Sequence, residues 1–153
     1  MLSNMSLKDY ARIERCMNGV VAGTSDQTSS AVDMKAGGDF DECTFVALFG
    51  ALTATQVTSI KCQQSDDDGS SDAYSDIAGS ASAALADADG NKMLAYTVRP
   101  TKRYLKLIID RGTANAVIDG VLAIKTRGTP VVVTQPTTIV GWEVANVPAE
   151  GTA

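Results

Sequence analysis

The stretch that decides the fold class is Arg103-Tyr104-Leu105-Lys106-Leu107-Ile108-Ile109-Asp110. Within it, Leu105, Leu107 and Ile109 recur at every second position, which is the period of a β-strand with one face in a core. Lys106 lies between the first two of them, so the opposite face is expected to meet solvent. We therefore predict a strand here, with the three apolar side chains pointing inward.

The segments on either side predict two neighbouring strands. Residues 92–98 form the first strand, and Arg99-Pro100-Thr101-Lys102 supplies a turn with proline at the favoured second position. A second turn at Gly112-Thr113-Ala114-Asn115 leads to a strand over residues 117–125. Its apolar side chains on one face are Ile118, Leu122 and Ile124. The three strands are predicted as two hairpins.

The first half of the chain has the same β character. We predict strands over residues 11–17, 31–34, 44–51 and 56–64, the third of them buried and central. Residues 7–17 leave a helix as an alternative, because Ser6-Leu7-Lys8-Asp9 has the form of a capping box. Polar loops are predicted at residues 23–30, 36–39 and 65–72. Residues 73–88 are rich in Ala and Ser, and we predict two short strands joined by a turn, followed by a hairpin turn at Asp89-Gly90.

The end of the sequence differs from the rest. Pro130, Pro136 and Pro148 interrupt a segment rich in Val and Thr, and proline cannot serve inside a central ladder. Residues 127–153 are therefore predicted to form an extended arm or an edge strand, and residues 1–10 a separate N-terminal segment. Residues 1–153 as a whole are expected to be a single all-β domain, an antiparallel, jelly-roll-like β-sandwich with an extended C-terminal arm.

Composition narrows the possible partners. The 153 residues are 44% hydrophobic and 20% charged, as expected of a folded globular domain. A net charge of −5 argues against a nucleic-acid partner, which requires an excess of Lys and Arg. No apolar stretch has transmembrane length and no secretory signal precedes the domain, so we expect no membrane partner and synthesis in a bacterial cytoplasm.

The absence of histidine bears on catalysis. Histidine is the commonest proton shuttle near neutral pH and the commonest nitrogen ligand of zinc, and the sequence contains none. Cys16, Cys43 and Cys62 are too far apart in sequence for a Cys-x-x-Cys metal site and are expected to be buried thiols. The sequence predicts no catalytic residues, no cofactor, no metal site and no enzyme activity.

Two acidic clusters are the candidates for a cation site. Asp66-Asp67-Asp68-Gly69 and Asp87-Ala88-Asp89-Gly90-Asn91 offer the oxygen ligands that calcium prefers. However, Val98 stands where an EF-hand loop starting at Asp87 needs its bidentate Glu. We interpret both clusters as solvated acidic turns. The same carboxylates make a poor glycosidase pair, because no apolar or aromatic cleft is predicted around them to raise the pKa of one acid.

The most concentrated charge in the sequence is basic. Arg99, Lys102, Arg103 and Lys106, with Arg111 nearby, belong to one predicted hairpin of an otherwise acidic chain. A solvated strand face accounts for such a run, and so does a docking patch for an acidic protein surface. Arg99, Lys102, Arg103 and Lys106 are our candidates for residues that contact a partner protein.

Six stretches of the sequence carry a further signal. They are Val32-Asp33-Met34, residues 45–53, residues 61–74, Arg99-Pro100-Thr101-Lys102-Arg103-Tyr104, residues 111–120 and Pro148-Ala149-Glu150-Gly151-Thr152-Ala153. These stretches resemble a family of small proteins encoded beside the major capsid gene of tailed bacteriophages. They occur in order along most of the chain from about Arg12 onward, and residues 127–142 match least well.

This resemblance implies a function. It implies a structural virion protein that binds the outside of the capsid lattice and cements it, with the major capsid protein and further copies of itself, in a homotrimer, as partners. An alternative is a lectin-like sandwich that binds carbohydrate during host adsorption, for which Trp142, Tyr74 and the two acidic clusters are the candidate residues. A hydrolase on the same scaffold has the least support.

Overall fold

The computed structural model describes residues 6–128, 133–137 and 139–141. Within these ranges, one short helix, α1, precedes ten strands, and a single 3₁₀ turn at Asp87–Asp89 lies between β7 and β8. The elements are α1 (Leu7–Tyr10), β1 (Arg12–Met17), β2 (Val20–Gly23), β3 (Gln27–Thr28), β4 (Val32–Asp33), β5 (Phe40–Leu52), β6 (Ser59–Ser65), β7 (Ser75–Asp76), β8 (Met93–Val98), β9 (Tyr104–Asp110) and β10 (Ala116–Gly128).

The strands form two antiparallel five-stranded sheets. In sheet A the order is β1-β10-β5-β8, and β2 continues the β1 edge along β10. In sheet B the order is β3-β9-β6-β7, and β4 continues the β3 edge along β9. With each split edge counted as one strand, every sheet has four positions, and this is the double-sheet jelly roll. The predicted antiparallel, jelly-roll-like sandwich is confirmed.

The two predicted hairpins are wrong, although their strands exist. The chain crosses from sheet A to sheet B between β8 and β9, and it returns to sheet A between β9 and β10. The hydrogen-bonded partner of β8 is β5, and that of β9 is β6. Alternation places apolar side chains toward the interior, but both sheets face that interior, so it does not identify the partner strand.

The core lies between the sheets and is built largely from short and branched side chains. Leu105, Leu107 and Ile109 are fully buried, as predicted, and face Phe45 and Phe49 of the long strand β5. The predicted central strand over residues 44–51 is confirmed as part of β5, which lies between β10 and β8. All three cysteines are buried, unpaired thiols, and burial raises the pKa of Cys16 and of Cys62 to about 12.

In strand β10 the side chains that point inward differ from those predicted for residues 117–125. Ile118 is buried as expected, but the next inward side chains are Val121, Ala123 and Lys125 rather than Leu122 and Ile124. The pairing of β10 with β5 shifts register between Ile118 and Gly120, and Gly120 has a φ of +148° there. Such a bulge adds one residue to the strand, so the alternation changes phase after it.

Other segments depart from the predictions more locally. Residues 7–17 are helical over α1 and extended over β1, so each alternative holds for part of the segment, and the Ser6 N–H donates to the carboxylate of Asp9 at 2.8 Å. The predicted polar loop at residues 23–30 contains the short strand β3. The Asp89-Gly90 turn leads into β8, whose partner is β5 and not the preceding segment.

Residues 73–88 contain one short strand, β7, instead of the two predicted. Beyond it the chain follows β6 and uses serine side chains in place of a regular ladder. Ser80 Oγ accepts the N–H of Cys62 and donates to its carbonyl, and Ser82 Oγ accepts the N–H of Ile60. Because side-chain hydroxyls satisfy these backbone groups, strand geometry is not required.

The described part of the predicted arm packs on its own domain. The amide nitrogen of Gln135 donates to the carbonyls of Ala11 and Lys8, and its amide oxygen accepts the N–H of Ile13 on the β1 edge. Val133 packs against the core. The strand β10 extends to Gly128, so the predicted start of the arm at residue 127 is two residues early. The remainder of the predicted arm, and most of the N-terminal segment 1–10, lie outside the described residues.

Over the described ranges, no helix is long and apolar enough to cross a membrane.

Candidate functional site

The predicted basic patch lies at one end of the sandwich, where the turn between β8 and β9 meets the loops at residues 34–41 and 65–74. The turn carries Arg99, Lys102 and Arg103, and Lys106 projects from β9 beside it. Each of these cations already has a partner within the chain. Arg99 Nε lies 2.8 Å from a carboxylate oxygen of Glu42, with 65% of its side chain still exposed.

Lys102 and Arg103 are held more firmly. The ammonium of Lys102 lies 2.6 Å from the carboxylate of Asp72 and 3.9 Å from that of Asp66. Arg103 donates twice to Asp33, from Nε at 2.8 Å and from Nη2 at 2.7 Å. The hydrogen bond from Arg103 lowers the pKa of Asp33, and the hydrogen bond from Lys102 lowers the pKa of Asp72.

Lys106 has an aromatic partner instead of a carboxylate. Its Nζ lies 4.0 Å from the centroid of the Tyr74 ring, the geometry of a cation–π contact. Arg111, the remaining basic residue of the run, is buried with 4% exposure, and its guanidinium donates to the carbonyls of Ser25, Val21 and Ala116. The sequence run therefore does not fold into a continuous positive surface, because intramolecular pairing neutralises most of it.

A cleft of about 400 Å³ lies beside this turn. Pro100, Thr101, Lys102 and Arg103 line one side, and the segment from Met34 to Asp41 lines much of the rest. Charges of both signs line it, and two of its cations, Lys102 and Arg103, are already paired with carboxylates. The charged lining residues are Lys35, Asp39, Asp41, Asp66, Lys102 and Arg103. Such a mixed, open cleft lacks the apolar enclosure that shifts a carboxyl pKa for acid catalysis.

The first acidic cluster is a self-contained loop. The carboxylate of Asp67 accepts the backbone N–H groups of Ser70, Ser71 and Asp72 at 3.0, 2.7 and 3.0 Å. These bonds lower the pKa of Asp67. Asp68 accepts the hydroxyl proton of Tyr74 at 2.6 Å. Backbone N–H groups thus occupy the carboxylate of Asp67, and the Tyr74 hydroxyl occupies that of Asp68.

The second acidic cluster is used in the same way. Asp87 accepts the N–H of Thr55, and Asp89 accepts the N–H of Ala86 and pairs with Lys92 at 3.0 Å. Within the described part of the chain, no group of three or more His, Cys, Asp or Glu side chains is arranged to hold a metal ion.

The surface that the sequence did not predict is the outer face of sheet A. Phe45 and Ala47 of β5 and Ala123 of β10 are buried inward, so the alternate residues of these strands point outward. The register aligns them in rows across the sheet. The rows are Ile13–Ile124–Thr44–Thr97, then Arg15–Leu122–Val46–Ala95, then Leu48–Met93. We call this set of ten side chains the sheet A outer face.

This face is almost uncharged. Arg15, at the β1 edge, is its one charged residue. Among the described residues, its aliphatic side chains belong neither to the hydrophobic core nor to the side chains packed against it. Met93 at the opposite edge is 67% exposed. The other large apolar side chains of the face are half-buried, namely Ile13, Val46, Leu48, Leu122 and Ile124. With strands about 4.8 Å apart and residues about 3.4 Å apart, the rows cover roughly 300 Å². The largest exposed apolar patch of a typical soluble monomer covers about 300–600 Å² and is often functional.

The outer face of sheet B provides the contrast. Lys61 lies beside Ile108, and Gln63 lies beside Lys106. The carboxylate of Asp76 accepts hydrogen bonds from Lys61 Nζ at 2.8 Å and from Gln63 Nε2 at 2.7 Å. An antiparallel sandwich normally has such a polar outer surface on both sheets. The two faces of this molecule therefore differ in kind, and only one has the usual solvated character.

The sequence contains a signal for the apolar outer face, but its pattern predicts that these residues lie in the core. Leu122 and Ile124 belong to it because the β10 bulge turns them outward. Residues 44–51 are apolar at nearly every position, which predicts burial on both faces. In the structure one of those faces is the sheet A outer face.

The fold is similar to that of a solved structure, the PBSX exported protein XepA. The TM-score is 0.53 and the sequence identity 14%, over 97% of this chain and 45% of that chain. The chain thus spans less than half the length of XepA, and the likeness shows the fold alone. No family model matches the sequence. No curated protein matches it either.

Proposed function

We propose that this protein is a non-enzymatic structural component of a bacteriophage virion, which binds the outside of the capsid lattice and cements it. The observation that carries the proposal is the sheet A outer face, an almost uncharged surface on a domain whose polar groups elsewhere are largely paired internally. A docking role needs such a surface and needs no catalytic group.

Two further points support the assignment to a capsid. The double-sheet jelly roll is a fold of viral capsid domains, although it also occurs in lectins and cupins. The stretches quoted above resemble proteins encoded beside the major capsid gene. Fold analogy alone does not give function, so the sequence resemblance supplies the choice of partner.

The carbohydrate-binding alternative has less support. Sugar stacking needs an open aromatic face, and Lys106 occupies one face of the Tyr74 ring. The hydroxyl of Tyr74 donates to Asp68, and the carboxylate of Asp67 accepts backbone N–H groups. Trp142 lies outside the described residues.

The homotrimer implied by the resemblance stays a prediction. Residues 133–135 of the predicted arm lie on their own β1 edge, so they add no support for contacts with a neighbouring subunit. Native mass spectrometry of protein released from virions tests the predicted stoichiometry.

Co-sedimentation with undecorated heads tests the function. Wild-type protein is expected to pellet with heads and to remain in solution without them. A protein that stays in the supernatant at every concentration refutes the decoration role.

The basic residues are tested in the same assay at two salt concentrations. Lys106 is the most informative position, because its partner is a ring and not a carboxylate. If the patch contributes, Lys106→Glu weakens pelleting, most visibly at low salt. Lys61→Glu, on the same outer face of sheet B, is the matched control. If both variants pellet equally, the basic residues do not contribute to head binding, and the proposed decoration role is unaffected.

A further inference from the structure

We infer that the sheet A outer face is an interface between copies of this chain, and that the protein self-associates through it before it meets any larger partner. The proposal commits to a second copy of this chain as the occupant. Three properties of the face support this choice.

The first property is its size. The outer surface of sheet A from Glu42 to Gly50, across four strand positions, covers roughly 600 Å². Two copies packed face to face then bury roughly 1,200 Å² in total, which is the lower bound of the range for specific, stable interfaces. The apolar rows form the centre of this area. Glu42, Thr126 and Arg15 lie at its margin and supply a polar rim.

The second property is its composition. Interfaces between identical subunits are more apolar than those formed between separately soluble partners. The two rows of four residues contain Ile124, Leu122 and Val46. These are branched aliphatic side chains, which are suited to sheet-on-sheet packing at about 10 Å. The face also lacks the charge pattern that selects a different partner.

The third property concerns solubility. A decoration protein circulates free before it meets a shell, so its apolar face needs a cover in the meantime; this step rests on the proposed function. The one occupant present wherever the protein is made is another copy. A single self-complementary patch is satisfied by a two-fold pair, in which the same surface of each subunit is used. The contacts of the predicted homotrimer are head-to-tail and would use other surfaces.

The test is the association state of the purified protein, measured by sedimentation over a hundredfold range of concentration. Wild type is expected to associate reversibly. Val46→Lys places a charge at the centre of the face and is expected to raise the dissociation constant about tenfold or more. Ile108→Lys is the matched control, since it makes the same kind of change at an outward aliphatic position on the central strand β9 of the other sheet.

A second variant guards against a folding defect. Met93 is 67% exposed at the edge of the face, so Met93→Lys is expected to fold normally, as judged by circular dichroism, and still to weaken association. A wild-type protein that is monomeric at all concentrations overturns the inference. So does association that both face variants leave unchanged. Because head binding is measured separately, pelleting of a monomeric wild type with heads removes this inference and retains the proposed function.

Discussion

At the scale of single residues, Lys125 is a buried charged group whose ammonium needs hydrogen-bond partners inside the fold. Its side chain is completely buried, and its ammonium donates to the carbonyls of Asp33 at 2.6 Å and Ala36 at 2.9 Å. Glu14 lies 2.7 Å away. Burial lowers the pKa of Lys125, and the hydrogen bond with Glu14 opposes that effect. The residue therefore ties the turn after β4 to sheet A.

Replacing this lysine is expected to be costly. Lys125→Met removes the ammonium donor from the Ala36 carbonyl and leaves the Asp33 carbonyl with the N–H of Ala36. It leaves Glu14 paired with Arg12. Removing one member of a buried, hydrogen-bonded pair costs about 3 kcal/mol. The measurement is urea unfolding at neutral pH. Lys61→Met, which removes an exposed ion pair with Asp76, is the control and is expected to change stability by less than about 1 kcal/mol.

The Arg103–Asp33 pair predicts a dependence of stability on pH. The pKa of Asp33 in the folded state lies below the ordinary value because Arg103 donates to its carboxylate. The unfolded state therefore binds the proton more readily, so the contribution of the pair is present above about pH 4 and is lost as the pH falls through the folded pKa. Unfolding free energies measured between pH 5 and pH 2 are expected to fall more steeply for wild type than for Asp33→Asn. Parallel curves contradict this.

At the scale of elements, the β10 bulge is the feature that divides core from docking surface. Val121 is buried and Leu122, its neighbour, faces outward. Val121→Lys is expected to prevent folding, because the charge has no partner in the core. Leu122→Lys is expected to fold with a melting temperature near that of wild type measured under dissociating conditions. If Val121→Lys folds and Leu122→Lys does not, then Leu122 points inward, as the sequence predicts.

The contacts within the acidic loop at residues 65–72 predict that calcium does not change the stability of the protein. Asp67 already accepts three backbone N–H groups, and Lys102 pairs with Asp72. Saturating a real site can add a few kcal/mol to stability. We expect millimolar calcium to produce no saturable rise in the melting temperature. A rise that a chelator reverses contradicts the account and favours the carbohydrate-binding alternative.

Alternation explains which parts of the fold the sequence predicts. It identifies β9 and its inward side chains, because each residue of a regular strand has only two faces available. It does not report pairing across the sandwich, so the crossings before and after β9 were missed. It also cannot detect that one added residue near Gly120 reverses the two faces of β10.

The same limitation applies to the candidate sites. Clustered cations along the sequence indicated a patch, but their charges are neutralised by Asp33, Glu42 and Asp72, which are distant in sequence. The apolar outer face depends on register among β1, β10, β5 and β8, and no local pattern contains that information.

At the scale of the whole molecule, the two sheets present unlike outer faces, one polar and one almost uncharged. A domain of this kind is suited to assembly, with one face against solvent and the other against protein. The proposed cementing role adds contacts that span neighbouring capsid subunits. Such contacts reinforce one another only when a lattice fixes the spacing of those subunits.

The most direct test compares the affinity of the purified protein for assembled, undecorated heads with its affinity for free capsid subunits under the same conditions. The account predicts saturable binding to heads and binding to free subunits that is weaker by at least about a hundredfold. Equal affinity for the two, or binding to neither, contradicts the proposed role.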